Sequence, residues 1–215
     1  MAYVAVSEVA VGDLLSAAAH NSLIGNTMMG HPVYATEAAR NAAITVPSEG
    51  QMAYITAPTV PAAAGATTVL PSGIATIYNG AAWVCTTEVG AITSTGGSTV
   101  DTAFTVGLAG APGTNPSITL STGTTALITI ACALTNSSSG ASSLMSASVS
   151  GATTVAASSA FCVQLSTTAG YYIQASYAYL FTALTPGTNT FTLGYRVTAG
   201  TGTFLNRSII GKGIV

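Results

Sequence analysis

Apolar and polar positions alternate most clearly near the end of the chain. In Phe191-Thr192-Leu193-Gly194-Tyr195-Arg196-Val197, the residues Phe191, Leu193, Tyr195 and Val197 fall on one side of an extended strand. Similar short β-prone runs occupy 100–108, 117–120, 126–134, 144–149, 171–180, 188–197 and 203–210. Clusters of Gly, Pro, Asn and Ser at 110–113, 136–140 and 186–189 lie between these runs. Short strands punctuated by turn signals predict a jelly-roll-like β-sandwich over residues 91–215. Phe191, Leu193, Tyr195 and Phe204 are expected in its core or at a subunit interface. In 171–180 both faces are apolar, which suits a strand packed on a core and also on a neighbouring subunit.

Upstream, residues 48–90 read as a small β module. A strand over 51–56 leads into a Pro/Ala/Gly-rich stretch, 58–71, expected to be a loop. The runs 74–78 and 81–86 flank Asn79-Gly80, a strong hairpin signal in which both turn residues are expected at positive φ. Tyr78 and Trp83 then face each other across the hairpin, as a cross-strand pair or as a ligand platform. Residues 1–47 have a different texture. Asp13 is placed to cap a helix over 14–24 that Gly25 stops, and Thr36 to cap a second short one over 36–43. Leu14, Leu15, Ala18 and Ala19 give the first helix a modest apolar stripe, interrupted by Ser22, and Leu14, Leu15, Ala18 and Leu23 are its expected docking residues. It serves as a docking segment or as a cap on its own domain. The fold class expected is therefore mainly β: a short N-terminal helical docking segment, a small β-hairpin module and a C-terminal sandwich.

Charge changes the functional picture. The 215 residues hold 4 Lys and Arg, 6 Asp and Glu and 2 His, and none of these types occurs between Asp101 and Arg196. Four basic residues cannot line a nucleic-acid groove. The carboxylates Glu8, Asp13, Glu37, Glu49, Glu88 and Asp101 stand singly, no G-x-S-x-G elbow occurs, and the Gly-rich stretches carry no phosphate-loop lysine. No catalytic, cofactor or metal site is expected. His20 and His31 have no third ligand arranged with them, and Cys85, Cys132 and Cys162 lack metal-binding spacing. Three free thiols are the expected state, although one disulfide among them is an alternative. Arg196, Arg207 and Lys212 could meet an anionic partner, but are expected to satisfy carbonyls or to pair across a subunit contact with acids such as Asp101 or Glu88. Mean hydropathy is +0.57, yet the best apolar run, 126–134, is far below the roughly 20 residues of a membrane helix. No basic region precedes an apolar N-terminal stretch, so no secretory leader is expected. A chain so poor in charge is expected to hide surface in an assembly.

Three segments carry a family resemblance: Ala35-Thr36-Glu37-Ala38-Ala39-Arg40-Asn41-Ala42-Ala43-Ile44, Pro47-Ser48-Glu49-Gly50-Gln51-Met52-Ala53-Tyr54 and Ile77-Tyr78-Asn79-Gly80-Ala81-Ala82-Trp83-Val84. Their order resembles a linker pattern of tailed-bacteriophage structural proteins. The stretches 184–197 and 200–210 resemble the closing strands of phage minor tail and fibre-type proteins. The ending Gly211-Lys212-Gly213-Ile214-Val215 departs from the apolar, proline-containing tail usual there. The resemblance implies a virion structural protein, assembled in the host cytoplasm, that docks onto other virion proteins through its N-terminal segment. It further implies self-association, as a trimer, in a minor tail or fibre-type role. A capsid decoration protein and a cell-surface glycan-binding adhesin module stay open as alternatives.

Overall fold

The computed structural model describes residues 31–65, 67–69, 72–111, 115–166 and 169–215. The helix expected over 14–24, with Leu14, Leu15, Ala18 and Leu23, lies outside them. The short helix after Thr36 is α1 (Glu37–Ala43), and Thr36 Oγ1 accepts the Ala39 N–H at 3.1 Å as its N-cap. Nearly all other regular structure among the described residues is strand.

A four-stranded sheet runs in the order β1 (Val33–Tyr34), β2 (Met52–Ile55), β5 (Ile74–Tyr78), β6 (Trp83–Cys85). Alternation puts Ala53, Ile55, Ile74, Trp83 and Cys85 on one buried face with Tyr34, where Ile44 packs just beyond α1. The β5–β6 hairpin forms, with Tyr78 opposite Trp83 and ring centroids 5.6 Å apart. Its turn is longer than expected. Asn79 Oδ1 accepts the N–H groups of Ala81 and Ala82 at 3.1 and 2.8 Å, so Asn79 closes a wider loop with its side chain. Gly80 takes positive φ there, +87°, and Asn79 does not.

The larger body is a sandwich. One sheet has the order β13 (Ile173–Phe181), β10 (Thr125–Asn136), β15 (Gly202–Ile214), β7 (Val89–Thr93), β4 (Thr67–Val69), with β8 (Gly97–Thr99) also on β15. The other has β12 (Cys162–Ser166), β11 (Ser142–Gly151), β14 (Gly187–Val197), β9 (Ser117–Thr122), β3 (Ala62–Ala64). Leaving aside the short strands β3, β4 and β8, this is the strand order of a jelly roll. The shared core holds Ile118, Leu120, Ile128, Leu134, Met145 and the expected Phe191, Leu193, Tyr195 and Phe204, all fully buried or nearly so. The four expected residues therefore sit between the sheets of one chain.

Two further expectations differ from what forms. The stretch 58–71 is not simply a loop: it contributes β3 to one sheet edge and β4 to the other. These are three-residue Ala and Thr runs without alternation, and their pairing is wholly non-local. The run 100–108 is not a strand. β9 ends at Ser117 opposite Thr192, and beyond it β14 is closed by single contacts. Asn115 Nδ2 donates to Leu193 O, Thr105 exchanges two backbone bonds with Tyr195, and Val197 N–H donates to Asp101 O. The chain crosses that edge instead of running along it.

A β-bulge fixes the phase of β15. The register against β10 shifts between Ala131 and Ala133, opposite Asn206, which has φ +48°. The shift turns Arg207 inward, fully buried. Its guanidinium donates to Tyr195 Oη at 3.0 Å and to Thr95 O at 2.8 Å.

Asn206→Val should lower stability by about 1–2 kcal/mol, because a β-branched residue resists the left-handed region, whereas Asn206→Gly should leave Tm nearly unchanged. Thermal unfolding of the two variants checks the bulge. A second expectation concerns alkali. Burial pushes the Cys132 thiol up to about 12 and raises the Tyr195 phenol, with nearby Arg207 offsetting part of each. Above the ordinary thiol value of 9.0 the unfolded chain releases the Cys132 proton and the folded one keeps it, so stability falls as pH rises toward 12. Cys132→Ala should flatten that fall; unfolding curves that overlay those of the wild type across this range would contradict it.

Candidate interaction surface

β13 ends its sheet, paired to β10 on one side only. Edge strands of soluble domains are usually guarded by charge, proline or a bulge. The strand Ile-Gln-Ala-Ser-Tyr-Ala-Tyr-Leu-Phe contains no charge and no proline, and its register with β10 is unbroken over nine pairs. Its sequence explains why it holds this place. Ala175, Tyr179 and Phe181 point inward and pack on the core, while Ile173 and Tyr177, on the same side, overhang the open margin of the sandwich. The preceding Tyr171 and Tyr172 are 67% and 53% exposed, and Ile173 and Leu180 are 44% and 48% exposed.

The margin is braced from within. Rings step outward from Phe191 to Phe181 at 5.4 Å, to Tyr179 at 4.9 Å and to Tyr177 at 6.3 Å, and Phe161 stacks on Tyr179 at 4.7 Å. Such pairs fix side-chain positions as well as burying area. Around the edge, the outer face of the same sheet continues without charge across Leu180–Leu127, Ala178–Thr129–Ile210 and Ser176–Ala131–Ser208–Ile92. Lys212 borders it and is tied to Glu88 at 3.1 Å; the acid is one of the two expected, but the pair closes within the chain and not across a subunit contact.

Asp101 and Arg196 are engaged separately from it. Asp101 accepts the hydroxyls of Thr99 and Thr105 at 2.7 and 3.0 Å. Arg196 donates to Thr102 O and Ser159 Oγ at 3.3 and 2.9 Å and lies over the Phe104 ring. Among the described residues, no three of His, Cys, Asp and Glu gather in one place, and no helix is long and apolar enough to cross a membrane. Cys85, Cys132 and Cys162 are free, the first two buried and the third partly exposed.

Of the residues singled out from the sequence, Tyr78, Asn79, Gly80 and Trp83 come together in the hairpin, and Phe191, Leu193, Tyr195 and Phe204 in the core. None of these lies on the β13 margin. The signal for that surface was the doubly apolar run 171–180, which identifies a strand with two buried-type faces but not which strands flank it.

No family model matches this chain, and no curated protein matches it. Solved structures give loose superpositions. The Eiger TNF from S. frugiperda is 13% identical over 59% of this chain and 92% of its own, with a TM-score of 0.38. The Arthrobacter globiformis T6 isomalto-dextranase complexed with panose is 20% identical over 57% of this chain and 22% of its own, with a TM-score of 0.30. The CBM22-1 xylan-binding domain from Paenibacillus barcinonensis Xyn10C is 13% identical over 58% of this chain and 87% of its own, with a TM-score of 0.26. Superpositions this loose carry nothing across to this chain.

Thiol accessibility follows from the burial pattern. In the native protein a thiol reagent should modify Cys162 alone, slowly, because burial raises its pKa, and all three thiols only on unfolding. Fast native reaction at Cys85 or Cys132 would contradict the packing.

Proposed function

We propose that this chain is a non-enzymatic structural protein of a phage virion that associates with further copies of itself, as a trimer, through the β13 margin. The observation that carries the self-association is the unguarded edge, where Tyr171, Tyr172, Ile173, Tyr177 and Leu180 form an exposed apolar surface with no charge on the strand. Patches of this kind mark interaction sites on soluble domains, since exposed tyrosines bring large contact area at low entropic cost. The virion placement rests on the resemblance carried by residues 35–54, 77–84 and 184–210. A minor tail or fibre-type role is the reading, with attachment through the N-terminal segment to other virion proteins; a head decoration protein is its nearest variant.

The same tyrosines favour one second reading, a glycan-binding adhesin module, because the apolar faces of sugar rings stack on exposed aromatic rings.

Sedimentation of the wild type against Tyr177→Glu and Leu180→Glu separates the readings. Self-association predicts a discrete oligomer for the wild type and a folded monomer for both variants, each acid having to be desolvated at the interface. A monomeric wild type that binds host cell-wall polysaccharide, and loses it on Tyr171→Ala or Tyr172→Ala, would establish the second reading and overturn the first. Immunogold labelling of virions with antibody to 91–215 then separates tail from head.

A further inference from the structure

A cavity of about 200 Å³ opens where the four-stranded sheet meets the sandwich. α1 contributes Glu37 and Arg40 to its lining, β5 and β6 contribute Thr76 and Trp83, and the sandwich contributes Ser121 and Thr188. The volume lies between the roughly 30 Å³ share of a single water and the roughly 300–1,000 Å³ of a drug-sized pocket. It suits one small ring and excludes a nucleotide or a peptide.

The polar groups are unevenly satisfied. Glu37 is committed: its carboxylate accepts the N–H groups of Thr59 and Val60, both at 3.0 Å, and the Thr59 hydroxyl at 3.2 Å. Burial alone would raise its pKa, but these bonds outweigh burial and hold it below the usual value. Arg40 is 5% exposed and lies 4.4 Å from the centre of the Trp83 ring. It donates twice to Asn41 Oδ1, at 3.1 and 2.9 Å, and once to Thr76 Oγ1, at 3.2 Å. A guanidinium carries five N–H groups in one plane, so two of them have no acceptor among these bonds. No carboxylate of the described residues lies within ion-pair distance of Arg40.

The chemistry selects the occupant. A free anion meets the Glu37 carboxylate, a cation meets Arg40, and a wholly apolar molecule leaves guanidinium donors stranded. A neutral polyhydroxylated ring avoids all three costs. Its oxygens accept from Arg40, its hydroxyls donate to Ser121 Oγ, whose own proton is given to Trp83 O, and exchange bonds with Thr188, and its C–H edge lies against Trp83 and Ile74. We propose that this cavity binds one neutral monosaccharide unit, with the Arg40 guanidinium as the donor that orients it. No residue of β13 lines the cavity, and no substitution in the test falls on it, so this site stands or falls apart from self-association.

Trp83 is the single tryptophan of the chain, so its fluorescence and its indole N–H resonance report on the cavity alone. The full-length protein is titrated separately with glucose, galactose, N-acetylglucosamine and rhamnose. At least one should give a saturable change at Trp83 with a millimolar Kd, with amide shifts at Ser121 and Thr188. Thr188→Phe and Thr59→Phe, both at exposed positions on the cavity rim, should weaken that binding by roughly tenfold or more with an unchanged circular dichroism spectrum. The proposal is overturned if no sugar of the four gives a saturable change, or if binding survives both substitutions. It is equally overturned if the wild-type shifts map to Tyr171, Tyr172 and Tyr177 instead. Should a variant fail to fold, the wild-type shift map decides.

Discussion

The phase of β15 against β10 governs more of this molecule than any other single relationship. A strand with strict period two would carry Phe204 inward and Asn206 after it, leaving Arg207 and Ile209 on the outer face. The bulge at Asn206 inserts one residue, so Phe204, Arg207, Ile209, Gly211 and Gly213 line the inner side. Three consequences follow from that shift. Arg207 reaches Tyr195 on the opposite sheet and Thr95 beyond β7, tying both layers to the connection that follows. Ile209 joins the core. Gly213 faces the four-stranded sheet, where an added Cβ would come within 2.4 Å of Val84 Cγ1 and 3.0 Å of Cys85 O. The smaller sheet seats against the sandwich because nothing projects from β15 at that point.

Charge is used inward here more than outward. Ordinary domains spread charged side chains over their surface to hold it in water. In this chain Arg40 spans the small sheet, Arg207 spans the sandwich, Glu37 holds the turn at Thr59–Val60, and Asp101 gathers the threonines on either side of it. The first three brace segments distant in sequence, and Asp101 shapes its own turn. The described surface is otherwise dominated by Ser, Thr and Ala, with Glu49 and Glu88 as exposed carboxylates and the β13 margin as an extended apolar interruption.

Much of the architecture was legible locally. The long strands β10, β14 and β15 and the hairpin at Asn79-Gly80 announce themselves, because alternation over many residues and turn chemistry are local properties. The short edges β3 and β4 do not: Ala62–Ala64 and Thr67–Val69 have no pattern of their own and become strands because β9 and β7 offer unpaired edges. The run 100–108 failed in the opposite direction, since its β-prone residues found an edge of β14 only a few residues long. The doubly apolar character of 171–180 was visible, but its position at the end of a sheet is a property of topology. The cavity was invisible for a related reason. Glu37, Arg40, Thr76, Trp83, Ser121 and Thr188 are drawn from both bodies of the fold, so no spacing along the chain connects them.

The charge-free margin of β13 also sets how any contact made there responds to its surroundings. Screening by salt acts on charges, and this strand offers none, so ordinary changes in ionic strength leave such a contact almost untouched. Strongly hydrated anions such as sulfate, which are excluded from protein surfaces, tighten it instead. Because burial of apolar surface is driven largely by entropy near room temperature, the contact weakens on cooling. A particle held together along this edge is therefore firmest in warmth and loosest in the cold.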